Sequence, residues 1–350
     1  MAVARVPLGA TRIRRYDTGL RGLAHPGLPF HALALLPVFW ALGLGYFTFA
    51  IAAVPMGFGL LLMHPIRVPR GFGLWFLYIG WMLVSAVMLE PSLTRFLSFS
   101  IRGVTYIAAT IIFLYVYNIP QRYLSTGRIL AVVGGLFVFT AIVGGYLGLL
   151  LGEVSIRTPL SMVLPQSMLE NSFVRSIVQP PFAQTQDFLG FAINRPAMPF
   201  SFTNDWGATL VPATFMSIAA AGRLGRYRRA ASAIALLAIV PMAVSANRGL
   251  WIALVVGALY VAIRRASAGQ LVLGIRLLVV LLVVAAAVLV SPLGDVVTER
   301  ATTNHSAGAR SDIYGDVLER VPDSPVLGYG APISNPQPFR PAIGTHGMFW

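Results

Sequence analysis

Three residues stand where phosphate or proton chemistry is within reach: Arg248 in SANRGLW, Arg310 in ARSDIYGDVLERV and His346 in AIGTHGMFW. An arginine near hydrocarbon is costly and usually has a partner. Arg248, between two apolar runs, fits two roles. It is either an interfacial arginine whose head reaches lipid headgroups, or a ligand whose planar fork holds diphosphate oxygens. Arg310 precedes a stretch of helical spacing in which Ile313, Val317 and Val321 share one face. As a surface arginine it is unremarkable. At a helix start capped by Ala309 or Ser311, it would bring a positive side chain and free backbone N–H groups to one anion. His346 lies between Gly344 and Gly347. It is either a solvated loop histidine or a base for an acceptor hydroxyl, because imidazole titrates near neutrality. Arg102 and Arg195 are accessory candidates. Arg102, inside an apolar run, pairs with Glu90 or with a lipid phosphate.

The segment carrying two of these residues, 291–350, changes character abruptly. It follows the run LLVVLLVVAAAVLV and holds Asp295, Glu299, Asp312, Asp316, Glu319 and Asp323, half of the chain's 12 acidic residues. Two glycine-rich turns, VLGYG and AIGTHG, frame a proline-studded stretch. His25, His31, His64 and His305 are scattered and suggest no metal cluster, and no metal or cofactor is expected. With no cysteine, disulfides, thiolate metal sites and a cysteine nucleophile are excluded. Walker, dinucleotide, HExxH and GxSxG signatures are also missing.

These groups must be held by membrane helices. The 350 residues are 57% hydrophobic and 11% charged, against about 25% charged in an ordinary soluble domain. The fold class expected is an all-α polytopic helix bundle of about nine spans, since one span needs about 20 residues. Residues 30–63 read as two short helices joined near Tyr46. The other spans are 71–89, 96–118, 129–151, 206–222, 230–246, 250–263 and 271–290. Residues 1–29 read as a cytoplasmic tail, 30–290 as the membrane domain, 152–205 as one long external loop and 291–350 as a second, partly helical one. A short interfacial helix is expected near Ser161–Arg175.

Charge sets the orientation. All 26 basic residues are arginine and the net charge is +14. With the N-terminus inside, the short inner loops receive Arg67 and Arg70, Arg122 and Arg128, the run Arg223 to Arg229, and Arg264 and Arg265, as the positive-inside rule asks. Of the acids only Asp17 then lies inside. The basic balance is thus topological, and no nucleic-acid partner is expected.

Taken in order, SANRGLW, then ARSDIYGDVLERVPDSPVLGYG, then THGMFW resembles the O-antigen ligase and polymerase superfamily of envelope glycosyltransferases. RPAMPFSFTNDWGATL, which contains Arg195, is similar to the family's approach to a central helix. The resemblance covers residues 190–350 and is mainly hydropathic before them. It implies a multi-pass cell-membrane enzyme, metal-independent and inverting, that moves a glycan from a polyprenyl diphosphate carrier to a glycan or lipid acceptor at the outer face. It also implies Arg248 and Arg310 on the diphosphate, His346 at the acceptor, and further spans after Trp350. Gly347 departs from the polar residue that usually follows the family's histidine. A transporter or flippase of lipid-linked polysaccharide is the alternative. Transporters commonly show repeated halves, and no repeat is visible in this chain.

The orientation is tested by reporter fusions. A fusion at Arg226 is expected to report cytoplasmic, and fusions at Gln184 or Pro336 external. A cytoplasmic signal at Pro336 would overturn the placement of the site.

Overall fold

A computed structural model describes residues 25–63, 65–188, 191–221, 228–291, 294–295, 297–298 and 305–333. The chain opens with α1 (Leu28–Ala34) and α2 (Leu36–Leu42). Gly43, at φ 82°, ends α2 in the left-handed conformation that glycine adopts without a Cβ penalty. A 3-10 turn at Gly45–Phe47 then leads into α3 (Thr48–Leu62). Residues 30–63 are therefore broken at Gly43–Phe47, close to the expected joint. Next come α4 (Phe72–Val84), with a 3-10 extension at Ser85–Met88, and α5 (Leu93–Asn118). Then follow α6 (Thr126–Phe137), a π-helical segment Val138–Gly144 and α7 (Gly145–Leu151).

The segment expected to be a loop has structure of its own. The single helix anticipated near Ser161–Arg175 is three short pieces: α8 (Pro159–Val163), α9 (Gln166–Leu169) and α10 (Ser172–Val178). Antiparallel strands β1 (Ala183–Phe188) and β2 (Phe191–Pro196) follow, with Gln184 opposite Arg195. The all-α expectation thus holds in part: the described chain is mostly helical, and the expected external loop carries a two-stranded hairpin. The hairpin depends on tertiary support that periodicity does not report. Phe182 O and Pro196 Cα would lie 2.8 and 3.0 Å from a Cβ at Gly148. Strand β2 therefore rests almost on the backbone of α7. The Glu153 carboxylate accepts from Thr185 N at 2.8 Å and satisfies a donor on the hairpin edge.

The remaining helices are α11 (Thr203–Ala221), α12 (Arg228–Val244), α13 (Arg248–Ser267), α14 (Leu271–Val290) and α15 (His305–Arg320). Among the described residues, four stretches are long and apolar enough to cross a membrane: Gly45–Leu62, Arg95–Asn118, Thr126–Leu151 and Arg248–Ser267. Phe72–Met88, Arg229–Val244 and Gly274–Val290 are shorter apolar helices. Their outer faces suit lipid: Leu74 is 74% exposed and Val290 89%. A water-soluble protein rarely leaves so much apolar surface uncovered.

The chain forms two compact units, one of Met1–Pro29, Phe49–Tyr123 and Asn304–Trp350, the other of Phe30–Thr48 and Leu124–Thr303. In the second, Phe137, Ala141, Trp206, Leu210, Ala213, Ala238, Met242 and Leu250 make a core where α6, the π segment, α11, α12 and α13 meet. Trp206 is fully buried, and its Nε1–H donates to Thr140 O at 3.0 Å. Thr140 lies in the π segment, where irregular bonding lets a side chain take a backbone carbonyl. In the first unit, α4 and α5 pack through aromatic rings, with Phe72 and Phe113 stacked at 5.2 Å. There Asn118 clamps the Arg67 backbone, accepting from its N at 2.7 Å and donating to its O at 2.8 Å.

Gly148→Val puts branched carbon where Phe182 O and Pro196 stand. Overpacking of this kind costs about 1–3 kcal/mol. Thermal unfolding of purified protein in detergent should show a clearly lowered midpoint. An unchanged midpoint would mean that β2 does not lie on α7.

Candidate active site

The α12–α13 turn carries SANR. Helix α12 ends at Val244, and Ala246 takes φ 49°, the only positive φ at a non-glycine among the described residues. A side chain in that region costs on the order of 1–2 kcal/mol and persists only where its surroundings fix it. They do so here. Ser245, Ala246 and Asn247 are all buried. The Arg195 guanidinium donates through Nε to Ser245 O at 2.7 Å and through Nη1 to Gln186 Oε1 at 2.7 Å. Asn247 donates through Nδ2 to Thr203 O at 3.2 Å and accepts from Leu250 N at 3.1 Å. That second bond is an N-cap satisfying one of the four free N–H groups of α13.

The hairpin is fastened to the same place. Thr203 N donates to Gln184 Oε1 at 2.9 Å, and Thr203 Oγ donates to Arg195 O at 3.0 Å. At Gly207, on α11, a Cβ would collide with Asn247 Nδ2. Trp251 Nε1 donates back to Met242 O at 3.0 Å. Hairpin, α11 start and α12–α13 turn are thus one hydrogen-bonded frame with Arg248 as its next residue.

Arg248 is the first residue of α13 and is half-buried. It combines a guanidinium with the positive end of a 20-residue helix, where anions are favoured. Arg195, an accessory candidate in the sequence, belongs to the same frame. It contacts the turn backbone and so acts as the brace behind Arg248.

Arg102 and Arg310 lie in the other compact unit. Arg102 is half-buried on α5, where its charge acts on Tyr106. Glu90, one of the two partners expected for Arg102, has its Oε2 2.7 Å from Arg95 Nη1. Arg95 sits in the first turn of α5, close in sequence to Glu90, whereas Arg102 is two turns further along. Arg310 also differs from expectation. The helix begins at His305, ahead of Ala309 and Ser311, so Arg310 falls in its second turn. Its backbone N–H is then committed within the helix, and the expected cluster of free N–H groups is not beside it. His346 lies outside the described residues.

The sequence reading missed Gln184, Gln186, Thr203, Ser245, Asn247 and Arg95. Only Asn247 had a readable signal: an Asn directly before a helical run, three residues ahead of Leu250, is an N-cap pattern.

Residues 230–350 match the family model described as O-antigen ligase. The match contains Arg248, Arg310 and His346, leaves Arg195 outside, and covers roughly the last third of the chain. No curated protein and no solved structure matches. Helices and match together define a class: a chain with apolar helices of membrane-crossing length whose residues 230–350 are similar to the O-antigen ligase family. Over that stretch the chain is O-antigen ligase-like, which supports a ligase- or polymerase-type glycosyltransferase role in polysaccharide biosynthesis.

Asn247→Ala removes the cap of α13 and the bond to Thr203 O together. The cap alone is worth about 0.5–2 kcal/mol. Thermal unfolding is expected at lower temperature, with Asn247→Asp intermediate because it keeps the acceptor for Leu250 N. An alanine variant as stable as wild type would refute the frame.

Proposed function

We propose that this protein transfers a glycan from a polyprenyl diphosphate carrier to an acceptor hydroxyl at the outer face of the cytoplasmic membrane. The observation that carries the reading is the locked SANR turn, which puts Arg248 at the start of α13 inside the segment that matches O-antigen ligase. The spans number about nine, the N-terminus is cytoplasmic, and residues 291–350 face outward.

The chemistry follows from charge. The acceptor oxygen attacks the anomeric carbon as its proton passes to the His346 imidazole. The bond from that carbon to the phosphate oxygen breaks on the opposite face, so the configuration inverts. Polyprenyl diphosphate leaves with new negative charge, which Arg248 and Arg310 stabilise more strongly in the transition state than in the bound donor. The energy is already in the glycosyl diphosphate bond, so no nucleotide is consumed, and the arginines take the place a metal would otherwise fill. Ligase and polymerase differ only in the acceptor.

The test is single-turnover transfer from a lipid-linked donor by purified full-length protein, without ATP or an ion gradient. Arg310→Ala should abolish transfer in a folded, inserted protein, and Arg310→Lys should restore little because an ammonium cannot reproduce the fork. His346→Ala should slow the chemical step about 10²–10⁴-fold while donor binding survives. Wild-type activity should fall as pH drops through the imidazole range near 6.5, since only the neutral ring accepts a proton. Full activity of both alanine variants would contradict the reading.

A further inference from the structure

The first glycine-rich turn, within PVLGYGA at residues 325–331, is held by side chains far away in sequence. Its holder is Arg95, at the outer start of the candidate span Arg95–Asn118 by the expected orientation. Arg95 is 8% exposed, a burial that makes an opposite charge and hydrogen-bond acceptors valuable to the guanidinium, although its Nε has no hydrogen-bond partner. Its Nη2 donates to Tyr329 O at 2.7 Å and to Ala331 O at 3.3 Å. The Glu90 carboxylate, 2.7 Å from Nη1, supplies the opposite charge from a largely exposed position.

Two further contacts press the same turn onto the membrane helices. Trp81 of α4 donates through Nε1 to Val326 O at 2.7 Å. At Gly330, a Cβ would come within 2.8 Å of Ser85 O and 3.0 Å of Leu89 Cδ2. Gly328 and Gly330 have φ of 60° and 69°, which lets the chain turn flat against the 3-10 segment Ser85–Met88. The turn is in turn tied to α15, since Tyr329 Oη donates to Arg320 O at 3.1 Å. Trp81, Arg320 and Tyr329 also line a cleft of about 310 Å3, so the clamp sets its shape.

We infer that Arg95 is a positioning residue of the transfer reaction. By gripping Tyr329 O and Ala331 O it fixes the turn that ends the α15 segment, and thereby the helix that carries Arg310. The inference rests on the reaction proposed above. Glu90 neutralises the grip from the solvent side, and Trp81 is its second point. The carbonyls held are backbone, so the requirement is for donors at this position on α5 and not for a particular side chain on the loop.

The experiment uses full-length protein in proteoliposomes, with Arg95→Gln, Arg95→Lys and Trp81→Phe compared with wild type. Two quantities are read: glycan transfer from a lipid-linked donor, per folded molecule, and hydrogen–deuterium exchange of residues 324–333. Arg95→Gln should lower kcat about 10–100-fold, the loss expected when reacting groups are misplaced by about 1 Å. KM for the donor should stay unchanged and exchange in 324–333 should rise. Arg95→Lys, whose ammonium still offers donors, should recover most of both. Trp81→Phe, which keeps the charge pair intact, should show the same changes in weaker form and decides the matter should Arg95→Gln fail to fold. Raised exchange with unchanged kcat would overturn the inference, as would unchanged exchange or a Lys variant no better than Gln. A wild type without transfer would overturn the reaction itself, while the exchange measurement still decides the clamp.

Discussion

The contact on which the site depends is the bond from Arg195 Nε to Ser245 O. It joins a hairpin to a turn fifty residues later in the chain, and the turn is strained at Ala246. Without it, the Ser245 carbonyl loses a charged donor beside the left-handed residue that redirects α12 into α13. Asn247 completes the arrangement from below by capping α13 and holding Thr203 O. The two side chains use backbone partners, so they fix a path for the chain. Arg248, the next residue along that path, is the first residue of α13.

Close backbone approach is the second constraint. Gly148 lets β2 lie on α7, Gly207 makes room for Asn247, and a Cβ at Gly274 would stand 2.9 Å from Ala262 O, where α13 and α14 pack. Small residues suit helices in lipid, where packing replaces the hydrophobic effect as the force between them. Here Gly207 also admits a polar side chain, that of Asn247, beside α11. The interior thus carries a hydrogen-bonded network without leaving apolar contact.

The sequence revealed helices well and the polar frame poorly. Apolar runs marked α5, α13 and α14 almost to their ends, and Gly43 and Gly45 marked the break in residues 30–63. The hairpin escaped because AQTQDF and FAINRP are polar on the face that meets the frame, so their alternation looked like loop composition. Arg195 was noticed only through RPAMPFSFTNDWGATL, and its partner proved to be a backbone carbonyl that no spacing rule points to. Glu90 was read as one of two partners for Arg102, and no spacing rule signals that it lies beside Arg95. Arg248 was legible because an arginine between two apolar runs is itself an anomaly.

The central claim is that the braced turn makes Arg248 a diphosphate ligand. The most direct measurement is binding of a short-chain polyprenyl diphosphate to purified protein in detergent at fixed ionic strength, wild type against Arg248→Ala. A charge-assisted bond contributes about 1.5–3 kcal/mol, so affinity should fall about 10–100-fold, with thermal stability little changed. Equal affinity in the two proteins would contradict the account and leave Arg248 as an interfacial arginine.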